Sequence, residues 1–476
     1  IYWTHAKQRQ LQVLNAMVKK NEVTRAQADE AYAEDLSPPA HIFQASGKQF
    51  FAAPNYVQWI IGELKARYGD NATYGGGLRV YTTLNPTLQH LAEQAVVHNV
   101  QINLGRGMRQ GAMTAIDPKT GAVLAMVGSA FPDRDGGQYN LAVWPPRNPG
   151  SSMKLWTYTA AIASGKFTMV TQMPDQPLTV NMPGQAPNYK PLNYDGKYHG
   201  NCALQACLGN SLNIPAVEVE LGVGVPAVVQ TARAVGAPPW CCGERDTYTD
   251  NDPLSTYGAG LTLGAYGETP LQQATGAATL SDGGLYHQPY GISRIVNSQG
   301  REIQAPWNPA TTAKQVVDPR VAFIMDQMLA NDQNRQAIFG PHSALTLPGR
   351  LVAAKTGTTD DYKDAWTVGY TPALATAFWF GDPGNGSMQQ GWDAVYAAAP
   401  AWQAYMGQAL SALKEPGWDW YPAPAGLGVS GTNDGAPVYL LPGTNFNQPG
   451  PGLPPWAVSS PAPKTQQQNL ATPKPA

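Results

Sequence analysis

Charged residues are scarce in this chain of 476 residues: Asp, Glu, Lys and Arg make up 13% of it, and the formal net charge is −2. Binding to nucleic acid or to an anionic membrane surface relies on clustered Lys and Arg. The composition therefore argues against both functions, and we expect no nucleic-acid partner.

Long hydrophobic runs are also lacking, because no apolar stretch reaches the roughly 18 residues of a membrane-spanning helix. The first residues, IYWTHAKQRQ, have neither the apolar core nor the cleavage site of a signal peptide. We therefore expect this chain to be a fragment of a longer protein, with any export signal or membrane anchor in the missing N-terminal part.

Cysteine is rare, with four residues at Cys202, Cys207, Cys241 and Cys242. In an oxidising compartment we expect a bond between the 202/207 pair and the 241/242 pair, because a vicinal bridge is strained. Free thiols are the other structural reading. A zinc site with His199 is disfavoured because two Cys-x-x-Cys pairs are missing, so we predict no metal and no cofactor.

The N-terminal part alternates between helical and strand patterns. Apolar residues at helical spacing predict a helix over 7–19, and Thr24 with Gln27 forms a capping-box signature for a second helix. Two further helices, over 55–67 and 87–100, flank a strand at 78–83. These elements predict a small α+β connector.

A new domain is expected to start at residue 111, where two strands are joined by a Pro- and Gly-containing turn. Residues 152–164 are apolar nearly all round, as in a helix buried on every side. Strands return at 351–380, which predicts an α+β domain whose sheet is completed by both halves of the chain. The helices expected elsewhere in this domain cover residues 203–221, 225–235, 270–281, 319–331 and 400–414.

The C-terminal composition shifts to Pro, Gly, Gln and Asn with isolated Trp. We expect the Trp-rich stretch 418–456 to pack on the domain surface rather than to bind a ligand. From about residue 459 there are too few apolar side chains to pack, which predicts disorder.

Ser151 and Lys154, in the stretch GSSMK, lie one helical turn apart at the start of the buried helix. A serine hydroxyl needs a base, and a lysine buried among apolar residues loses its proton more readily. At the N-terminus of the helix, free backbone N–H groups could stabilise an oxyanion. The pair therefore predicts a nucleophile and its base.

The Ser-x-x-Lys spacing alone is weak evidence, because Ser411 and Lys414 repeat it in the closing helix. Likewise 119–121 is a second Lys-Thr-Gly, placed in a turn. Only the first pair is followed by Ser211 with Asn213 and then by Lys-Thr-Gly-Thr at 355–358. Taken singly, Ser211 and Asn213 indicate a helix break, and residues 355–358 indicate an edge strand. Their order along the chain favours a single site instead.

These motifs, together with NPGSSMK, SLNIPAV and AAKTGTTDDYKDAWTVGYTP, closely resemble a class A penicillin-binding protein over residues 7–415. The resemblance implies an α+β fold of the penicillin-binding protein transpeptidase and serine β-lactamase type, an antiparallel sheet with helices on both sides. It also implies a glycosyltransferase remnant at 1–40, a connector at 41–110 and a transpeptidase domain at 111–415. The Pro/Gly/Trp-rich extension at 416–458 and the disordered tail at 459–476 are predicted from composition and are not general features of the family.

The resemblance implies a serine D,D-transpeptidase that cross-links peptidoglycan stem peptides, donor and acceptor, and that β-lactams inhibit covalently. Ser151 would be the nucleophile, Lys154 the base in acylation and Ser211 the proton relay to the leaving amine. The full-length protein would also be a glycosyltransferase. It would lie at the extracytoplasmic face of the bacterial cytoplasmic membrane.

Substrate-binding residues are implied in the same way. Asn213 would hold the substrate amide and Lys355 would add positive charge. Thr356, Gly357 and Thr358 would form the strand that binds the substrate, with both threonines on its carboxylate.

Other functions on the same site stay open. A D,D-carboxypeptidase would use the same residues and transfer the acyl group to water. A class A β-lactamase needs a glutamate for deacylation, for which Glu268 is the only candidate. A non-catalytic penicillin sensor would need a signalling domain, and none is visible in the sequence.

Overall fold

The computed structural model describes residues 2–34, 52–241, 251–305, 307–415, 420–433, 435–463 and 466–467. Two compact units meet between Pro54 and Asn55. The first holds helices α1 (Tyr2–Lys19) and α2 (Arg25–Ala33). Thr24 and Gln27 form the capping box that begins α2, as predicted.

The second unit contains the remaining described elements. Its helices are α3 (Pro54–Gly75), α4 (Pro86–Asn103), α5 (Lys154–Ala163), α6 (Leu204–Gly209), α7 (Asn213–Val223), α8 (Val225–Ala234), α9 (Pro270–Ser281), α10 (Pro319–Ala330), α11 (Gln336–Phe339), α12 (Ala394–Ala397) and α13 (Ala399–Ala412). Its strands are β1 (Arg79–Thr82), β2 (Gln110–Ile116), β3 (Val123–Val127), β4 (Gln172–Asp175), β5 (Leu178–Val180), β6 (Gly200–Ala203), β7 (Leu285–Tyr286), β8 (Ile292–Val296), β9 (Glu302–Gln304), β10 (Lys314–Gln315), β11 (Ala353–Thr358), β12 (Asp364–Thr371), β13 (Leu374–Gly381), β14 (Gly428–Asn433), β15 (Ala436–Leu440) and β16 (Ala457–Ser459).

The central sheet has five strands in the order β11-β12-β13-β2-β3, all antiparallel. Strands β2 and β3 come from the start of the domain and the other three from its end, which confirms that both halves of the chain complete the sheet. Helices α4 and α13 pack in the apolar cluster on one side of the sheet, and α9 lies against its strands as well. The predicted α+β fold is confirmed.

Elements on the two sides of residue 111 pack together. Leu88, Ala92 and Val96 of α4 are fully buried in the same cluster as Phe378 of the sheet. Strand β1 pairs with β8, and β8 pairs with β9. The elements assigned to a connector are therefore built into the compact unit that begins at Asn55.

Helix α5 is buried along almost its whole length, as predicted. The single helix expected over 203–221 is wrong: it is interrupted between α6 and α7, where Ser211 has a φ of +59°. A left-handed residue cannot continue an α-helix, so the chain turns there. Among the described helices no single one is long and apolar enough to cross a membrane; α7 and α8 pass that test only as a pair, bent by 92°.

The disulfide joins Cys202 to Cys207. The expected bond between this pair and the 241/242 pair is wrong. The turn from β6 into α6 brings the Cα atoms of Cys202 and Cys207 to 5.6 Å, a distance that a disulfide can span. Cys242 lies outside the described residues. In the part of the chain that the structure describes, no group of three or more His, Cys, Asp or Glu side chains is placed to hold a metal ion.

The C-terminal extension packs on the domain, as expected. Trp420 donates from Nε1 to the Leu351 carbonyl at 3.1 Å, and the Tyr421 hydroxyl donates to Asp326. The expectation of disorder from residue 459 fails for the described residues 459–463 and 466–467. The Ser460 N–H donates to Pro177, Gln466 accepts from Tyr198, and β16 pairs with β5, so backbone hydrogen bonds hold this segment. Residues 468–476 of the predicted tail lie outside the described residues.

Candidate active site

Ser151 lies in a short 3₁₀ turn, Gly150–Met153, that leads directly into α5. Gly150 has a φ of +55°, and a Cβ atom there would come within 2.6 Å of the Thr358 carbonyl oxygen. Only glycine combines that conformation with so close an approach. The turn therefore holds Ser151 against the end of β11, with its side chain partly exposed to the cavity described below.

Lys154 is completely buried one turn later. Its Nζ donates to Ser151 Oγ at 3.0 Å, to the Ser211 carbonyl at 2.7 Å and to Asn213 Oδ1 at 2.7 Å. Burial and the nearby charge of Lys355 lower the pKa of this amine well below its ordinary value, and Asp175 opposes that shift. A buried amine with a lowered pKa, in contact with a hydroxyl, can accept the proton of that hydroxyl.

Ser211 and Asn213 enter the site through the interruption between α6 and α7. The positive φ of Ser211 directs its carbonyl to Lys154, and its Oγ accepts from Lys355 Nζ at 2.8 Å. Asn213 donates from Nδ2 to the Leu192 carbonyl at 2.8 Å while its Oδ1 accepts from Lys154. The interruption of the helix predicted over 203–221 thus places both side chains in the site.

Lys355 is 2% exposed on β11 and donates to Ser211 Oγ and to the Thr356 carbonyl at 2.9 Å. Burial, with the charge of Arg335, lowers the pKa of Lys355 to about 7. The amine therefore changes charge near neutral pH. The hydroxyls of Ser211, Ser151 and the two lysines form one connected hydrogen-bond network.

Strand β11 is one of the two edge strands of the central sheet, since among the described strands it pairs with β12 alone. The unpaired edge of such a strand can bind an extended peptide through its backbone. A Cβ atom at Gly357 would lie 2.0 Å from the Pro149 carbonyl, so this glycine lets the strand approach the Ser151 turn. The Thr358 hydroxyl accepts from the Ala394 N–H at 2.9 Å, which leaves its own proton available for a ligand.

A cavity of about 300 Å³ lies over these residues. Five of the eight predicted site residues line it, namely Ser151, Ser211, Asn213, Thr356 and Thr358. Lys154, Lys355 and Gly357 lie next to them, so the structure brings together all eight.

The sequence analysis missed the other walls of the cavity. They are residues 192–194 in the loop between β5 and β6, Ile338 and Phe339 of α11, residues 359–362 after β11, and Asp393, Val395 and Tyr396 at α12. They include the aromatic residues Tyr194 and Tyr396, both more than half exposed. These loop segments and one-turn helices are too short to carry a periodic pattern, so periodicity could not select them.

The competing motifs lie elsewhere. Ser411 and Lys414 are exposed at the end of α13, and Lys119 lies in the turn between β2 and β3, as predicted. Glu268 does not line the cavity: its carboxyl is buried, accepts from Trp156 Nε1 at 3.5 Å, and burial raises its pKa to about 8. A deacylating role for Glu268 therefore has no geometric support.

Comparison with sequence relatives identifies the family. Residues 111–383, more than half of the chain, match the family described as the penicillin binding protein transpeptidase domain. Penicillin-binding protein 2D of Bacillus subtilis is 30% identical over 94% of this chain and 60% of its own length. Penicillin-binding protein 1A of Neisseria flavescens is 34% identical over 63% of this chain and 36% of its own length. The chain thus spans less than two thirds of the curated relatives it matches.

Solved structures give the same fold. The PonA1 protein of Mycobacterium tuberculosis in complex with penicillin V superimposes with a TM-score of 0.64 and 28% identity, over 78% of this chain and 96% of that one. Penicillin-binding protein 1A of Haemophilus influenzae superimposes with a TM-score of 0.70 and 20% identity, over 94% of this chain and 83% of that one. At this identity the similarity supports the fold alone. The resemblance to class A penicillin-binding proteins is confirmed, and this chain belongs to the penicillin-binding protein transpeptidase family.

Proposed function

We propose that this chain is a serine D,D-transpeptidase that acts on peptidoglycan stem peptides. The observation that carries the proposal is the contact between buried Lys154 and Ser151 Oγ at 3.0 Å, with the pKa of Lys154 lowered by burial. Ser151 Oγ would attack the carbonyl carbon of the penultimate D-Ala while Lys154 takes the hydroxyl proton. The C–N bond to the last D-Ala then breaks, leaving an acyl-enzyme.

The departing amine needs a proton, and Ser211 lies between the two lysines at 3.5 Å from Lys154 Nζ and 2.8 Å from Lys355 Nζ. We assign it the relay of that proton to the leaving D-Ala. A neighbouring stem-peptide amine then attacks the acyl carbon and forms the cross-link. The ester bond to Ser151 Oγ breaks, and the proton lost by the amine returns to that oxygen. Backbone N–H groups of Ser151 and Thr358 would stabilise the oxyanion of each tetrahedral intermediate.

Substrate binding is assigned to the edge strand and to Asn213. The D-Ala carboxylate would be bound by the hydroxyls of Thr356 and Thr358, with the Lys355 ammonium as its positive charge. Gly357 keeps that edge close to Ser151. Asn213 would donate to or accept from the substrate amide.

β-Lactams are the proposed covalent inhibitors, because an opened lactam ring would leave Ser151 acylated. The support is the same nucleophile and base, together with the structural similarity to PonA1, whose structure contains penicillin V. A further proposal concerns the longer protein: residues 1–40 would be the end of a glycosyltransferase domain. The longer protein would be anchored at the extracytoplasmic face of the bacterial cytoplasmic membrane. The Cys202–Cys207 disulfide supports this location, because disulfides persist in oxidising compartments outside the cytoplasm.

A donor and acceptor assay tests the proposal. The chain is incubated with a stem peptide ending in D-Ala-D-Ala, with and without an amine-bearing acceptor peptide, and the products are separated by mass. We expect D-Ala release and a cross-linked dimer that requires the acceptor. If both reactions gave only the donor peptide shortened by one D-Ala, the chain would be a D,D-carboxypeptidase instead. If penicillin labelled the chain slowly and neither reaction gave a product, a sensor would be favoured.

A further inference from the structure

A buried polar cluster, which we call the Asp175 cluster, adjoins the cavity and has no assigned step in the proposed chemistry. It consists of Asp175 at the end of β4 and of Asn193 and His199 in the loop between β5 and β6, and Asn193 also lines the cavity. These residues are 1%, 4% and 2% exposed. Buried polar groups are costly unless they are hydrogen-bonded, so the contacts of this cluster are informative.

The Asp175 carboxylate is fixed from three directions. Asn193 Nδ2 donates to both of its oxygens, at 2.9 and 2.8 Å, and the His199 backbone N–H donates at 2.8 Å. His199 Nδ1 contacts the same carboxylate at 2.7 Å. On its other side His199 Nε2 contacts Asp195 at 3.1 Å, so the ring is held between two carboxylates.

Asn193 connects this cluster to the N-terminus of α7. Its Oδ1 accepts from the Asn213 N–H at 2.8 Å and from the Ile214 N–H at 3.4 Å. The residue before α7 is Leu212, which has no side-chain oxygen, so the cap comes from Asn193, 20 positions before Asn213. The start of α7 therefore depends on where Asn193 is held.

The same loop also orients the Asn213 side chain. The Leu192 carbonyl accepts from Asn213 Nδ2, which leaves Oδ1 to face Lys154 Nζ at 2.7 Å. A rotated amide would present an NH₂ group to the ammonium instead. Both the position and the orientation of Asn213 thus come from residues 192–193, which the Asp175 carboxylate holds in place.

We propose that Asp175, Asn193 and His199 are positioning residues that hold Asn213 against Lys154 and thereby set the rate at which Ser151 is acylated. This inference rests on the proposed function for its kinetic readout. It makes no claim that these residues touch the substrate.

The test compares variants of the full chain in the second-order rate of labelling by a fluorescent penicillin. Asn193→Ala removes the cap and His199→Leu removes both ring contacts. Each is expected to lower the rate about 10- to 100-fold, the loss that follows removal of a partner that orients a metal ligand. His199→Asn keeps a donor near the Nδ1 position and is expected to restore most of the rate.

Two buried residues away from the site provide matched controls. Asn140 donates to the Asn55 carbonyl at 2.9 Å, and His287 contacts Asp282 at 3.1 Å. Asn140→Ala and His287→Leu are expected to lower the melting temperature but not the labelling rate. Wild-type rates in Asn193→Ala and His199→Leu, or an equal loss in His199→Asn and His199→Leu, would overturn the inference.

A crystal structure of Asn193→Ala separates this inference from the proposed function. We expect Asn213 Oδ1 to lose its contact with Lys154 Nζ. An unchanged contact would overturn the inference whatever the kinetics. A wild-type chain that penicillin does not label would contradict the proposed function alone, and the crystal structure would then decide the inference.

Discussion

Lys154 is the residue on which the proposed chemistry depends, because its ammonium group is buried where charge is costly. Lys154→Met keeps the length and apolar stem but removes the base. We expect the acylation rate to fall by about 10²- to 10⁴-fold, the usual contribution of a general base. Lys414→Met, in the exposed second Ser-x-x-Lys, is the matched control and should label like wild type. Equal loss in both variants would contradict the assignment.

Lys355 should make acylation depend on pH. Because its pKa is about 7, the amine is charged below neutral pH and loses the charge above it. We therefore expect the second-order rate of acylation to fall as pH rises through this range. On the acid side, protonation of Lys154 limits the same rate. In Lys355→Arg the guanidinium stays charged, so the alkaline limb should move to higher pH. An alkaline limb that stays in place would rule out Lys355 as its origin.

At the scale of elements, the contact between the Ser151 turn and β11 depends on glycine. A Cβ atom at Gly357 would meet backbone, which cannot move aside as a flexible side chain can. We expect Gly357→Ala to lower both the melting temperature and the labelling rate. Gly407→Ala, inside α13 with nothing within 4 Å, should stabilise the chain by about 0.5–1 kcal/mol and leave labelling unchanged. If Gly357→Ala labelled as fast as Gly407→Ala, the result would contradict this account.

The elements show what the sequence could predict. Strands β2 and β3, helix α5 and the hairpin of β12 and β13 follow from periodicity and turn residues, because each pattern is local. One helix was predicted over 203–221 because apolar residues stand on both sides of Gly209–Ser211, and a break at Ser211 entered only as the structural reading of that residue taken singly. The disulfide was missed because pairing depends on Cα separation, which spacing does not give. Asn193 was missed because a distant cap has no local signature.

At the scale of the whole molecule, the extension beyond α13 is part of the fold. Asp326 is fully buried, and the hydroxyls of Tyr370 and Tyr421 donate to it, the first at 2.9 Å. Burial raises the pKa of this carboxyl well above its usual range. Removal of the extension would take away one donor and the ring contacts of Tyr421 and Tyr439 with Phe323.

Truncation after residue 415 is therefore expected to lower the free energy of unfolding. The lost hydrogen bond to a buried carboxyl alone costs about 1–3 kcal/mol. Truncation after residue 467 is the control and should leave thermal unfolding unchanged. Equal melting temperatures for the two truncations would contradict a structural role for the extension.

The central claim is that Ser151 becomes the acyl carrier, and mass spectrometry after incubation with benzylpenicillin tests it most directly. We predict that intact chain gains the mass of one penicillin, that the modified peptide contains Ser151, and that Ser151→Ala gains nothing. An unmodified wild-type chain, or equal modification of Ser151→Ala, would contradict the account.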